Sequence, residues 1–382
     1  MKPPEVLVVG AGIAGLSVAG ELQRRGVSVQ VVEQAEALRV PTAGIVLHPN
    51  ALACLDHLRG ALDQQGSRIE RNVAMDRDGS ETVVEWKSVW PELPLAVHRR
   101  TLGKLLLSQL DPDTIHWSTA PLKLIQEPEG VRVTFNTGDS ETYQVVVGAD
   151  GINSWTRHMV DPDAQPRFTG HTFIRTTVLP LTPSSSAEWR TWRHGPHTFG
   201  LMPIGQGRMA VFFQIAASEP LRSELPDPLE VLRNGCGDMP GEVRRFVDSM
   251  RLDEQLVTRS AFALTTSRFV AGRVVLIGDA AHAVSPATTQ GGGLAVEDAA
   301  VLGEEIGTHG CRPEALAAFE RRRQARVNAF QAIATQQVTL MEAVAARRVP
   351  GPEGLDDSAP IKPPVDASAW YRRLYGPLLA VP

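Results

Sequence analysis

Three short stretches combine glycines with one acidic residue in an order suited to holding a nucleotide. The first reads GAGIAG, Gly10 to Gly15, directly after the apolar run EVLVVG and at the start of a segment of helical composition. In this G-x-G-x-x-G spacing Gly10 permits a tight turn, Gly12 lets backbone approach a pyrophosphate, and Gly15 lets helix pack on strand, with Ala14 in the same first turn. The free N–H groups and the positive helix end then hold phosphate. Glu33 closes the next apolar run, VSVQVVE, about 20 residues on, where a carboxylate accepts ribose hydroxyls and repels a 2′-phosphate. The second stretch, GADGINSWTR, sets Asp150 and Gly151 after a strand, with Ser154 placed as an N-cap and Arg157 one turn on. The third, IGDAAHAVSPATTQGGGLAVEDA, puts Asp279 at a strand end, His282 and Pro286 behind it, and Gly291, Gly292 and Gly293 at a helix mouth. There Asp279 can accept from a ribityl or ribose hydroxyl, and the glycine-opened helix offers unhindered N–H donors.

The elements that must position these residues are legible as runs. EVLVVG and VSVQVVE, separated by a helical segment ending at Arg24, Arg25 and Gly26, form a strand, helix, strand unit with a parallel sheet. YQVVVGAD (143–150) and GRVVLIGDA (272–280) are two more buried-type strands of the same fold. Between them, 171–181, 197–205 and 208–215 are β-rich with partial alternation, which predicts a second sheet of a different kind. From Arg312 to about Arg348 the chain is rich in Ala, Arg and Gln and predicts one long helix or two with a kink; a Pro-rich tail follows, with a short helix from Ala367.

A chain of 382 residues exceeds one ordinary core, so two lobes are expected. A net charge of −5 gives no electrostatic footprint for nucleic acid or an anionic membrane. The three cysteines, Cys54, Cys236 and Cys311, are spread too widely for a disulfide framework or a zinc site, so a reducing compartment and no metal are expected. The glycine pattern argues against reading the N-terminus as a signal peptide, and no apolar run reaches the ~18 residues of a membrane span. A cytoplasmic protein, monomer or homodimer, is the expectation.

Taken together, GAGIAG…Glu33, GADGINSWTR and GDAAHAVSPATTQGGGLAVEDA resemble the single-component FAD-dependent aromatic hydroxylases of the para-hydroxybenzoate and salicylate hydroxylase type. The likeness spans roughly residues 5 to 345 and is strongest towards the short hydroxylases of the 2-alkyl-4-quinolone and urate types. It implies an α/β fold: a Rossmann-like FAD-binding domain over 1–75, 98–165 and 266–345, a β-sheet substrate domain over 76–97 and 166–265, C-terminal helices, and a tail from 346 to 382. It also implies FAD as cofactor, NADPH or NADH as co-substrate, and O2, with a flavin C4a-hydroperoxide hydroxylating an aromatic or heteroaromatic small molecule. By the same likeness Gly44, with Pro49 and Asn50, belongs to a flavin-side segment, Arg99 contacts FAD, and Glu320, Arg323 and Arg326 mark a helix entry. Thr289 stands where the family has the first glycine of G-Q-G, and Gly293 stands where Asn is frequent. A positive φ at Thr289 would cost on the order of 1 kcal/mol and shift the loop beside the isoalloxazine.

Two side chains are candidates for the chemistry itself. His48 is either a base acting on a phenol-like substrate or a satisfied histidine; His194 and His197 raise the same choice, and His282 reads as structural. Arg175, in FIRTTV, either orients an anionic substrate or joins an ion pair at a sheet edge. Phe173, Phe199, Met202, Phe212 and Phe213 either wall a pocket or pack a core. Two other readings remain open. One is a halogenase or reductase of the same fold, although WRTWRHGP departs from the W-x-W-x-I-P spacing of halogenases. The other is a flavoprotein that binds a ligand without turning it over.

Overall fold

A computed structural model describes residues 4–39, 43–179, 187–195, 197–223 and 225–346, with side chains through Ala334 apart from Ala287 and Ile333. The expected Pro-rich tail lies outside the described residues from 347 onward, and so does the short helix expected from Ala367. The described residues divide into two compact units, one taking 4–39, 102–167 and 262–334, the other 43–101, 168–261 and 335–346, apart from the gaps within them.

The first unit is built on a six-stranded sheet in the order Val270–Ala271, Val274–Leu276, Val145–Gly148, Val6–Val9, Val29–Glu33, Ile115–Trp117. All neighbours are parallel except the first pair, which is antiparallel. Val6, Leu7, Val8 and Val145 to Val147 are fully buried, as expected of parallel strands covered on both faces, and this explains why their sequences are unbroken apolar runs. Parallel strands all end on the same edge. Gly10, Asp150 and Asp279, each just past a strand end, are therefore brought together by topology, at the crevice where such sheets bind ligands.

Behind that edge lies an ionic network whose centre, Arg323, Glu297 and Asp298, is fully buried. Arg323, on the single long helix Pro313–Ala346, donates from Nε to Asp298 Oδ1 (2.6 Å) and from Nη1 to Glu297 Oε2 (2.7 Å), and Arg326 adds further bonds to Glu297. Asp298 Oδ2 accepts from Gly278 N (2.8 Å) and His282 Nε2 (2.6 Å). Glu320, one turn earlier, accepts from the amides of Phe269 and Val270. The helix entry singled out by sequence is thus a clamp on the Asp279 turn.

The second unit holds an eight-stranded sheet in the order Arg251–Leu252, Arg167–Leu179, Met209–Ala216, His197–Pro203, Glu188–His194, Arg71–Met75, Glu81–Glu85, with Val257–Ala263 also on Arg167–Leu179. One face carries Ile174, Val178, Phe199, Val211 and Phe213, packed on Leu232, Val243 and Val247. Those three come from helices Pro228–Gly235 and Gly241–Ser249. A small antiparallel sheet of Gly44–Leu47, Leu95–His98 and Ser67–Arg68 belongs to the same unit. Residues 41–75 therefore fall here, not with the first domain where sequence placed them. The cause is long-range pairing: Arg71–Met75 runs parallel to Glu188–His194.

Removing one member of the buried network leaves an uncompensated charge, so Arg323→Met should cost about 3–5 kcal/mol in denaturant unfolding. Burial opposes ionisation of Asp298, but the charges of His282 and Arg323 and its hydrogen bonds prevail and hold its carboxyl below the ordinary 3.8. Its stabilising contribution is complete above that ordinary value and disappears as pH falls through the lower folded one. Unfolding midpoints should therefore drop on acidification from about pH 5 to about pH 3, less steeply in Asp298→Asn.

Candidate cofactor and active site

The glycine fingerprint closes as its spacing predicts. Gly10 adopts φ 103°, and a Cβ there would stand 2.6 Å from Ala149 O, so the turn accepts only glycine. The helix Ile13–Arg24 makes its first internal bond from Leu16 N to Gly12 O (2.9 Å), leaving the amides of Ile13, Ala14 and Gly15 without an intrahelical acceptor. Gly12 is exposed, with nothing within 4 Å of where a Cβ would be, so the approach to those amides is open. Glu33 accepts from Ala11 N through Oε2 (2.8 Å) and from Ala35 N through Oε1 (2.9 Å). Each oxygen keeps a second lone pair for a hydroxyl.

Asp279 is exposed and has no hydrogen bond among the described residues. It follows Gly278, whose φ 59° and ψ −144° belong to glycine alone and whose Cβ would meet Ala14 at 3.0 Å. Ala14 is thus a packing neighbour of the Asp279 turn as well as part of the phosphate-facing one. A Cβ on Gly291 would lie 3.7 Å from Asp279 Oδ1, so the helix mouth stands beside this carboxylate. The Gly291–His309 helix makes its first internal bond from Leu294 N to Gln290 O, which leaves the amides of Gly291, Gly292 and Gly293 without intrahelical acceptors. Pro286 opens the short 3-10 helix Pro286–Thr288, and the next residue, Thr289, has φ 54° with its N–H on Pro286 O (3.0 Å). The positive φ anticipated for Thr289 is therefore present.

Free amides in two helix mouths, an unbonded carboxylate and Glu33 make a donor and acceptor set that fits the pyrophosphate and hydroxyls of FAD. Other residues singled out by sequence have structural work instead. Asp150 accepts from Ser154 Oγ and from Thr156 N (2.9 Å) and Oγ1 (3.0 Å), so its carboxylate closes its own loop beside Gly10. Arg157 is buried and donates to Ala164 O, Ala280 O and Ile152 O, bracing that loop against the helix Asp279–His282. Three of its five N–H donors are thus engaged by carbonyls. His282, buried against Phe269 and bonded to Asp298, is structural, as its position implied.

In the second unit Gly44 is accounted for by packing: a Cβ would meet Ala210, Ile204 and Met202 at 2.8 to 2.9 Å. Arg99 opens the helix Arg99–Leu107 with its N–H on Ala43 O (2.9 Å). The next amide, Arg100 N, donates to His98 Nδ1 (3.0 Å), while His98 Nε2 donates to Glu254 (2.9 Å), so the backbone is pinned on both sides of Arg99. His48 is buried with its ring 5.2 Å from that of Trp86, and desolvation brings its pKa down to about 3. It is a neutral ring at physiological pH. His197 packs on Phe213, on the helix-covered face. Of the aromatic residues in question, Phe199 and Phe213 are core on that face, whereas Phe173 and Phe212 alternate to the other, with Arg175.

A β-branched residue at positive φ costs about 1–2 kcal/mol, and glycine's extra freedom in the unfolded chain returns about 0.5–1 of it. Thr289→Gly should thus stabilise the protein by about 0.5–1 kcal/mol in urea unfolding. A loss of stability would mean that the threonine's own contacts outweigh its strain.

Residues 4–334 match the family described as FAD binding domain. The chain is 31% identical over 331 residues to the 2-heptyl-3-hydroxy-4(1H)-quinolone synthase of Pseudomonas aeruginosa (strain UCBPP-PA14), covering 84% of this chain and 85% of the relative. It is 33% identical over 323 residues to the 3-amino-4-hydroxybenzoate 2-monooxygenase of Streptomyces cremeus, covering 81% and 79%. The crystal structure of Klebsiella pneumoniae HpxO complexed with FAD and uric acid shares the fold, with a TM-score of 0.82, 24% identity, and coverage of 98% of this chain and 93% of that one. Both units, described separately above, have counterparts in that fold. The chain belongs to the FAD-dependent aromatic hydroxylases, and is an FAD-dependent monooxygenase.

Proposed function

We propose that the protein uses NAD(P)H and O2 to hydroxylate a small aromatic or heteroaromatic compound. One oxygen atom enters a ring C–H bond, the other leaves as water, and NAD(P)H provides the two electrons required. FAD, when bound, supplies electron storage and oxygen activation; the protein supplies position, dryness and fixed dipoles. The observation that carries the reading is the convergence of the fingerprint, the 149–151 loop and the unbonded Asp279 on one edge of a parallel sheet. The quinolone and the aminohydroxybenzoate in the relatives' names support a bicyclic or monocyclic aromatic substrate.

Each residue has a part in this reading. The amides of Ile13, Ala14 and Gly15 and the positive helix end hold the pyrophosphate. Glu33 accepts from ribose hydroxyls, and Asp279 from a ribityl hydroxyl. The amides of Gly291, Gly292 and Gly293 donate to negative charge on the edge of the flavin ring. In the second unit Arg99 is the arginine on the cofactor, its backbone pinned by His98 and Ala43. His48, beside Trp86, is held neutral by burial, and a pKa of about 3 makes it a weak base.

The test is to purify the protein, record the flavin spectrum, and screen aromatic acids, quinolones and purines for stimulated NAD(P)H and O2 consumption with one hydroxylated product per NAD(P)H. Stimulation by none of them would favour a flavoprotein that binds without turnover. A hydrogen bond to a charged group contributes about 1.5–3 kcal/mol, so Asp279→Ala should weaken FAD binding about ten- to hundredfold while the apo-fold survives. Equilibrium titration with FAD reads this directly, and unchanged affinity removes Asp279 from the cofactor site.

A further inference from the structure

His98 closes the strand Leu95–His98 and immediately precedes the helix Arg99–Leu107, so it stands in the N-cap position. Its ring is the cap. Arg100 N donates to His98 Nδ1 (3.0 Å), and a backbone amide can only donate. Nδ1 is therefore the bare nitrogen, and the single ring proton sits on Nε2, where it meets Glu254 Oε2 (2.9 Å). The carboxylate selects the tautomer that can cap the helix.

Glu254 is held as firmly as the ring it orients. Its Oε2 also accepts from Thr177 Oγ1 (3.1 Å), its Oε1 meets Arg100 Nη2 (3.0 Å), and its backbone O accepts from Thr176 Oγ1 (2.8 Å). The side chains of His98 and Glu254 are 12% and 14% exposed, so little water competes for their bond. Burial opposes ionisation of Glu254, but the bond and charge of His98, the charge of Arg100 and the Thr177 hydroxyl prevail and hold its carboxyl below the ordinary carboxylate range. Other charges come from several elements. Arg99 and Arg100 follow the ring on its own helix, and Arg175, on Arg167–Leu179, acts on Arg99 and has no ion pair among the described residues. Asp253, beside Glu254, is engaged by Arg208 (2.6 Å), and opposite His98 on the small sheet stands Gly44, without a side chain.

We propose that His98 and Glu254 are positioning residues for Arg99, and that FAD is held tightly only while the His98 ring is neutral. A second ring proton goes to Nδ1, where it faces the Arg100 N–H. Two donors then meet, and the cap opens. Arg99, the first residue of the helix, must in that state be ordered by the cofactor itself, which weakens binding. Histidine is the side chain whose charge changes between pH 5 and 8, so the linkage falls in that range, with affinity lost on the acid side. The proposal rests on the reading of Arg99 as the arginine on FAD, and adds the two residues and the proton that govern it.

The experiment is equilibrium titration of the full chain with FAD at about pH 8 and about pH 6, read by flavin fluorescence. A helix cap changes an equilibrium by roughly fivefold, so wild-type affinity should fall about three- to tenfold between the two. His98→Leu should show that loss already at the higher pH and no further loss at the lower. Asparagine offers an oxygen in place of Nδ1 and does not titrate, so His98→Asn should stay within about twofold of the tighter wild-type affinity at both. Glu254→Gln still accepts the Nε2 proton but attracts no second one, and should keep more of its affinity than wild type at the lower pH. Arg99→Met should weaken binding, and adding His98→Leu to it should change nothing more. A pH dependence that persists in His98→Asn overturns the proposal. So does an effect of His98→Leu that adds in full to that of Arg99→Met, because a general loosening of the fold acts without the arginine. Unchanged affinity in Arg99→Met removes this arginine from the cofactor and overturns the proposal with it. Binding is read without turnover, so a protein that meets all these expectations yet hydroxylates nothing loses the proposed reaction and keeps the positioning pair.

Discussion

One carboxylate sealed from water governs the edge of the first unit's sheet where Gly10, Asp150 and Asp279 meet. Asp298 grips the amide of Gly278, the ring of His282 and the guanidinium of Arg323. An unpaired charge at that depth would be prohibitive, so the strand end, the helix that follows it and the long C-terminal helix must all arrive for any of them to be stable. The backbone at Gly278 is held in a region that only glycine enters, and its neighbour Asp279 consequently faces outward with its oxygens unused. The position of the exposed carboxylate is thus set by an arginine more than 40 residues further along the chain.

The local signals of the sequence account for most of that edge and for little of what lies behind it. Glycine spacing and unbroken valine runs are short-range patterns, and they located Gly10, Glu33, Asp279 and the four central strands of the parallel sheet. They did not show that Arg157 also donates to three backbone carbonyls. They could not tell a glycine that clears room for a ligand from one that clears room for another strand's side chains, and Gly44 does the latter. The placement of 41–75 was misread because a parallel pairing to residues 188–194 leaves no mark in either segment alone. Thr289 was legible in a different way: a residue out of pattern pointed to a strained backbone, and the backbone has that strain.

The second unit shows how alternation sorts a single run into two purposes. In Met209–Ala216, Phe213 enters the core under the helices while Phe212, one residue earlier, crosses the sheet to lie over Gly200. Composition alone offers no way to separate the two rings. The same rule places Arg175 on the face of Phe212, with its guanidinium against the Phe173 ring.

Both units are assembled from segments far apart in the chain, the first from 4–39, 102–167 and 262–334. This has a consequence during synthesis. The strand Val6–Val9 and one parallel neighbour, Val29–Glu33, are among the first to leave the ribosome, yet the other neighbour at 145–148 comes much later, and the arginine that closes the unit, Arg323, later still. At translation rates of about 5–20 residues per second the founding strand waits roughly 15 to 60 s before its domain can close. Over that interval the edge that will pair with 145–148 has no permanent partner, and the growing chain depends on whatever shields it.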